Sequence, residues 1–310
     1  MSLSILIPTY KRPALLRRNL ASIIESMVKV DEVVVGDDGG DEETRKVCGQ
    51  FASRLPLRYL RPEGKGSLAT NVTRLLKASR MEWILLLHDD DYLTGNHSDF
   101  PAQFEYKCDL FFTDHWICEE SGEINLEKTT GNSIAYGRSA LKEGIQYDNL
   151  GIALHQKICL DGFYVRRNKI DGIFPDPKFG HVADFIWVFD LLNSSLKVWY
   201  ANRRTFAYRL SPDGLTGSGG RINEDTVLGL NAIKERLMNK DLISLVASKI
   251  SMNTWYAVNA ALRRGAPHTA FSLLKDLNFN YTHSSKHKIL IVVQLLWILL
   301  KKSMPGKLKT

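Results

Sequence analysis

Three polar runs in this 310-residue chain each come at the end of a short apolar stretch. Pro8-Thr9-Tyr10 follows Leu3 to Ile7, Asp37-Asp38 follows Val33 to Val35, and His88-Asp89-Asp90-Asp91 follows Trp83 to Leu87. Adjacent carboxylates repel one another unless a cation sits among them. Hard oxygen ligands at the mouth of a rigid strand suit Mg²⁺ or Mn²⁺ bridging a diphosphate. Aspartates also form turns and cap helices, but two such clusters at strand ends of one sheet favour the ligand reading. The four cysteines (Cys48, Cys108, Cys118, Cys159) include no CxxC pair, which argues against zinc or a disulfide framework and fits a reducing compartment.

Short apolar runs alternating with amphipathic stretches predict an α/β fold whose parallel sheet is flanked by helices. In such a sheet, ligands bind beyond the carboxyl ends of the strands. Leu3 to Ile7 is expected as a strand ended by Pro8, and Pro13 opens a helix that buries Leu16, Leu20, Ile23, Ile24 and Met27. Val33 to Val35 is a second strand, and Asp41 is placed to cap a helix burying Val47, Phe51 and Leu55. Leu57 to Leu60, a helix over 66–79 and Trp83 to Leu87 complete this half. Leu110 to Ile117 reads as a half-buried strand because it carries His115 and Trp116, and Asp184 to Leu192 reads as a helix. Ser211 to Gly220, rich in Gly and Ser, predicts a mobile loop, and the pattern from Ile222 onward is helical throughout.

The runs Ser4-Ile-Leu-Ile-Pro-Thr-Tyr-Lys-Arg12, Glu32-Val-Val-Val-Gly-Asp-Asp-Gly39 and Leu85-Leu-Leu-His-Asp-Asp-Asp-Tyr-Leu93 together resemble the family 2 glycosyltransferases. The resemblance covers roughly residues 2–215. It implies a GT-A fold, a Rossmann-like and mostly parallel sheet flanked by helices, here with a C-terminal helical extension. Pro8, Thr9 and Tyr10 would lie against the nucleotide base, Arg12 near the phosphates, and Asp38 at the imide N–H of uracil. Asp89-Asp90-Asp91 matches the family's DxD element, so Asp89 would face the ribose while Asp90 or Asp91 holds Mn²⁺ or Mg²⁺. Many members carry Asp where this chain has His88, which shifts the register of the element by one residue. His88 reads as a structural histidine or as an orienter of the metal ligands. Phe179-Gly-His-Val-Ala-Asp184-Phe-Ile-Trp187 resembles the segment that supplies a catalytic base, with Asp184 as the candidate ahead of Asp176 and Asp190. An acid favoured by the helix dipole is the alternative reading of Asp184. Lys65-Gly66-Ser67, Asn71 and Arg209 resemble weaker donor-side elements.

The activity implied is an inverting, metal-dependent hexosyl transfer from a nucleotide diphosphate donor, a UDP-sugar, to an acceptor hydroxyl. The acceptor would be a saccharide or lipid-linked saccharide in cell-surface polysaccharide or glycolipid biosynthesis. A catalytically inactive nucleotide-sugar-binding or scaffolding protein on the same fold is the alternative. The first strand is followed by PTYKRP, without a glycine-rich loop, which argues against nucleotidyltransferases and nicotinamide-dependent enzymes.

The expected organisation is a catalytic domain over 1–220 and a helical region over 221–310. The first divides into a nucleotide-binding half (1–107) and an acceptor half (108–220). The net charge is +7, and six lysines with no acid lie between Ser284 and Thr310, so the remainder carries about +1. That leaves no broad basic field for nucleic acid. Ile289 to Leu300 is apolar except for Gln294, which is short of the roughly 20 residues a spanning helix needs. The segment 286–302 reads either as a lysine-flanked anchor on an anionic leaflet or as a helix packed on the core. The N-terminus, without a basic region and long apolar stretch, predicts a chain with no signal peptide, cytoplasmic or peripheral on the inner face of the membrane.

Overall fold

The computed structural model describes residues 2–61, 66–100, 102–210 and 221–273. Lys65, the 211–220 segment and the lysine-flanked stretch at 286–302 lie outside the described residues. The chain divides into two compact units, Met1–Ser218 and Gly219–Thr310.

In the first unit, strand β1 (Leu3–Thr9) is buried at every position, as expected for a run apolar on both faces inside a covered parallel sheet. It extends two residues past Ile7, because its neighbour β2 (Glu32–Asp37) goes on to pair with Pro8 and Thr9. Strands β3 (Leu57–Leu60) and β4 (Trp83–Leu86) complete a parallel set in the order β3-β2-β1-β4. The connections are α1 (Pro13–Glu25), α2 (Glu42–Phe51) and α3 (Leu68–Ala78). Pro13 occupies the first turn of α1, where its missing N–H would have found no partner. Asp41 caps α2 by accepting from the Thr44 N–H at 2.8 Å, and Ser67 and Thr70 form a reciprocal capping pair on α3.

The second half of the sheet is mixed. Strand β8 (Phe163–Arg166) runs antiparallel between β4 and β6 (Leu110–Cys118). Strand β6 pairs parallel with β9 (Val198–Arg209), which also carries the short antiparallel strands β5 (Tyr92–Leu93) and β7 (Gly144–Gln146). Two reversals restore direction, so β6 and β9 end at the same edge as β1, β2 and β4, whereas β8 begins there. Phe111 and Tyr164 stack across β6 and β8 with centroids 4.4 Å apart, inside a core that includes Trp83, Phe104 and Phe206.

Strand β6 is buried along nearly its whole length rather than half-buried. Its polar residues find partners brought from elsewhere. Asp114 accepts from Arg138 Nε at 2.7 Å, Ser133 Oγ at 2.9 Å and Arg204 Nε at 3.3 Å. Ser133 lies on α4 (Leu126–Ala135) and Arg138 just beyond it. The β6–β9 register shifts around Asp114, as where a bulge re-aims a side chain. Helices α5 (Asn149–Leu154) and α6 (Ala183–Asn193) follow, the second matching the helix expected from Asp184 onward.

The second unit contains α7 (Ile222–Lys234), α8 (Lys240–Arg263) and α9 (Pro267–Leu273). Asn239 caps α8, and the buried Glu224 pairs with Arg221 and Arg264. No helix among the described residues is long and apolar enough to cross a membrane.

Candidate active site

Register brings the first contacts of the site together. Leu6 of β1 lies opposite Leu86 of β4, so three residues further on Thr9 meets Asp89, and Thr9 Oγ1 donates to Asp89 Oδ2 at 2.6 Å. The chain turns back at Lys11, whose φ of 54° lies in the left-handed region. Arg12 then reaches over the edge, with Nη1 2.8 Å from Asp90 Oδ2 and 3.5 Å from Asp89 Oδ1.

The 88–91 turn is held from three sides. Asn19, fully buried on α1, donates through Nδ2 to the carbonyls of His88 (2.7 Å) and Asp91 (2.9 Å). At the end of β9, the Arg209 amide donates to Asp91 Oδ1 at 2.8 Å. Immediately before β8, Asp161 accepts the His88 amide at 2.5 Å. This clamp sorts the three aspartates. Asp89 is 4% exposed and Asp91 2%, while Asp90 faces partly outward beside Arg12.

The electrostatics follow from that sorting. Burial, reinforced by Asp90, pushes the Asp89 carboxyl up to about 6 against the pull of Thr9 and Arg12. Burial and the neighbouring Asp161 and Asp90 hold Asp91 well above the carboxylate range. His88 is pulled down by burial, but Asp161, Asp90, Asp184 and Asp89 outweigh this and raise it above its ordinary value. Asp184, in the first turn of α6, accepts the Phe185 N–H at 2.7 Å, and burial raises its carboxyl. His88 and Asp184 each feel the other's charge, so the candidate base and the acidic turn share one field.

The Asp37-Asp38 pair also divides. Asp37 accepts from the Gly39 amide and the Tyr59 hydroxyl and fixes its own turn. Asp38 faces Arg74 at 3.7 Å, beneath Gly66, where a Cβ would stand 2.8 Å from its carboxylate. Burial raises the Asp38 carboxyl, partly offset by Arg74.

Thr9, Arg12, Asp89 and Asp90 therefore meet in one network. Pro8 is buried, and Tyr10 is 57% exposed. Two expected donor contacts turn inward instead. Asn71 is buried, donates to the Gly36 carbonyl at 2.7 Å and accepts from Arg74. Arg209 is buried, with its guanidinium on the carbonyls of Asp90, Glu119 and Glu120. Both brace the site. Asp91 likewise points away from Asp90, towards Asp161. Of the rivals to Asp184, Asp176 caps the turn beginning at Pro177 and pairs with Lys178, and Asp190 lies deeper in α6. Asn19 and Asp161 were absent from the expected set. Asn19 had a signal, being a polar residue among Leu16, Leu20 and Ile23 on the buried face of α1. Asp161, before Gly162, reads as a turn residue.

Residues 4–104 match the family described as Glycosyl transferase family 2. Over 92 residues the chain is 32% identical to a hyaluronan synthase of Pasteurella multocida, an alignment covering 29% of this chain and 10% of the synthase. The chain thus spans a small part of the curated relatives it first matches. Among solved structures it resembles S. aureus TarS 1-349 in complex with UDP-GlcNAc, with a TM-score of 0.63 and 14% identity over 90% of this chain and 82% of that one. It also resembles the mannosyltransferase PcManGT from Pyrobaculum calidifontis in complex with GDP-Man and Mn²⁺, with a TM-score of 0.59 and 14% identity over 96% and 87%. At such identities the structural likeness speaks for the fold alone. Over residues 4–104 the chain matches glycosyl transferase family 2, and its fold is the GT-A fold.

Proposed function

We propose that this chain transfers a hexosyl group from a UDP-sugar to an acceptor hydroxyl with inversion at the anomeric carbon. The observation that carries the reading is the division of labour within the acidic turn. Two aspartates are buried, and Asp90, the most exposed of the three, makes the shorter contact with Arg12 at the carboxyl edge of a parallel sheet. Diphosphates bind at such an edge.

The oxygen donors of the turn fit a hard divalent cation, Mn²⁺ or Mg²⁺, with Asp90 as the residue that would hold it. When bound, such an ion supplies charge stabilisation to the departing nucleoside diphosphate. Arg12 adds a fixed positive charge on the same side. Asp89, braced by Thr9, faces the ribose, and Asp38 accepts from the uracil imide, with Pro8 and Tyr10 flanking the base. Asp184 takes the proton of the acceptor hydroxyl as it attacks. The raised carboxyl of Asp184 suits this role, because a base poised nearer neutrality holds the proton more strongly. Asn71 and Arg209 support the site from behind.

The TarS complex with UDP-GlcNAc supports a uridine donor, and the synthase relative supports an acceptor in surface polysaccharide or glycolipid assembly. The 286–302 segment would bring the enzyme to a lipid-linked acceptor at the membrane face. A screen of nucleotide sugars with Mn²⁺, reporting release of nucleoside diphosphate, tests the proposal. Release from a UDP-sugar, increased by a saccharide acceptor, is expected. A full panel with no release or transfer would leave only a nucleotide-sugar-binding scaffold.

A further inference from the structure

Behind the turn that carries Asp90 lies a second set of ligating atoms. His88, Asp91 and Asp161 each place one such atom within 4.8 Å of the other two. Asp91 and Asp161 are 2% and 1% exposed. Each carboxylate has one oxygen fixed by a backbone amide. Asp91 Oδ1 accepts from Arg209 N, and Asp161 Oδ1 accepts from His88 N. The other oxygen of each, Oδ2, is buried without a hydrogen-bond partner, as is His88 Nε2. The Asp161 Oδ2 stands 3.3 Å from His88 Nδ1.

Two carboxylates facing one another in a dry interior need a counter-charge. Among the described residues, no arginine or lysine supplies it, and His88, with Nδ1 3.3 Å from Asp161, could balance only one of the two. Arg12 is engaged by Asp89 and Asp90, and the Arg209 guanidinium by backbone carbonyls. Amide donors that orient one oxygen of a carboxylate and leave the other free are a common outer shell of a metal ligand.

We propose that His88, Asp91 and Asp161 bind a divalent transition-metal cation of the Mn²⁺ type, independently of nucleotide and separately from the ion that the donor brings to Asp90. One imidazole and two carboxylates favour such an ion over Mg²⁺, which prefers oxygen alone. The ion pins the turn after β4 to the loop before β8 and so fixes the direction in which Asp90 points. This inference goes beyond the proposed transfer reaction and stands or falls without it.

The test is a Mn²⁺ titration of the full chain, stripped of metal and free of nucleotide, followed by electron paramagnetic resonance. One tightly bound ion per chain is expected, with nitrogen modulation from His88 in the pulsed spectrum. Asp161→Asn should weaken this ion by about tenfold or more. His88→Asp should keep the ion and lose the nitrogen signal, which serves even if Asp161→Asn fails to fold. Asp90→Asn should leave the nucleotide-free ion in place while removing the ion that appears only with UDP. The proposal is overturned if the wild-type chain takes up no Mn²⁺ without nucleotide, since the two carboxylates then share a proton. It is equally overturned if folded Asp161→Asn binds Mn²⁺ as well as wild type, or if Asp90→Asn abolishes both ions.

Discussion

Asp90 and Asp184 divide the proposed chemistry between donor and acceptor, so their amide variants should fail differently. Asp90→Asn is expected to lose metal-dependent UDP binding, seen by calorimetry as a loss of Mn²⁺-dependent heat. Asp184→Asn should keep that binding and lose transfer by a factor of about 10² to 10⁴, the usual contribution of a positioned base. Burial raises the Asp184 carboxyl, so the acid limb of kcat should lie above the ordinary carboxylate range near 4. An acid limb in the ordinary range would argue against Asp184 as the base. Asp89 makes a related statement about stability. Its folded-state value of about 6 lies above that of an unfolded aspartate. The stability it contributes is therefore full below the unfolded value and is lost as pH rises through about 6. Melting of the metal-free chain from pH 5 to 7 should show wild type losing ground to Asp89→Asn. Equal slopes would mean that Asp89 is already ionised there. At this scale the sequence showed which residue types stand at the edge but not which way they face. Asp90 and Asp91 are adjacent and chemically identical, yet one faces Arg12 and the other Asp161. Asn71 and Arg209 carry suitable donors but spend them on carbonyls, and only the neighbours decide that.

The elements divide by how locally they are specified. Strands β1 to β4 and helices α1 to α3 were legible because each parallel crossover is written consecutively, with its caps beside it, as Asp41 is beside α2. Of the later strands, β6 was legible in position but not in its burial, and β5, β7, β8 and β9 were not. Strand β6 carries Asp114 and His115 in a buried segment, and Arg138, which satisfies Asp114, lies some twenty residues away with no local signal linking them. That pair gives a prediction about the element itself. Arg138→Met keeps the side-chain stem but leaves Asp114 under-paired in the interior, which should cost about 3–5 kcal/mol by urea unfolding. The carboxyl of Asp114 is subject to burial, but its bonds to Arg138, the His115 amide and Ser133 overcome this and hold it below the ordinary range. Its stabilising share is thus present above the unfolded value and lost as pH falls through the lowered one. A variant within 1 kcal/mol of wild type would show that Ser133 and Arg204 suffice.

Across the whole molecule, every residue of the acidic turn and Asp184 belong to the unit Met1–Ser218. A fragment ending at residue 218 is therefore expected to bind UDP with Mn²⁺ within about threefold of the full chain, and a larger loss would place donor-binding groups beyond that point. The antiparallel course of β8 has a further consequence, for the order in which the chain assembles. Strand β2 returns to β1 and β3 to β2 across fewer than thirty residues, whereas β4 must return to β1 and β8 to β4 across about eighty, and β9 to β6 across nearly ninety. Pairings so distant form slowly. On refolding, β1 to β3 with Thr9 and Asp38 can take shape early, while Asp90 arrives with β4 and Asp161 and Arg209 only with the strands after it. Until then the 88–91 segment lacks two of its three restraints, so nucleotide affinity should emerge after most secondary structure has formed.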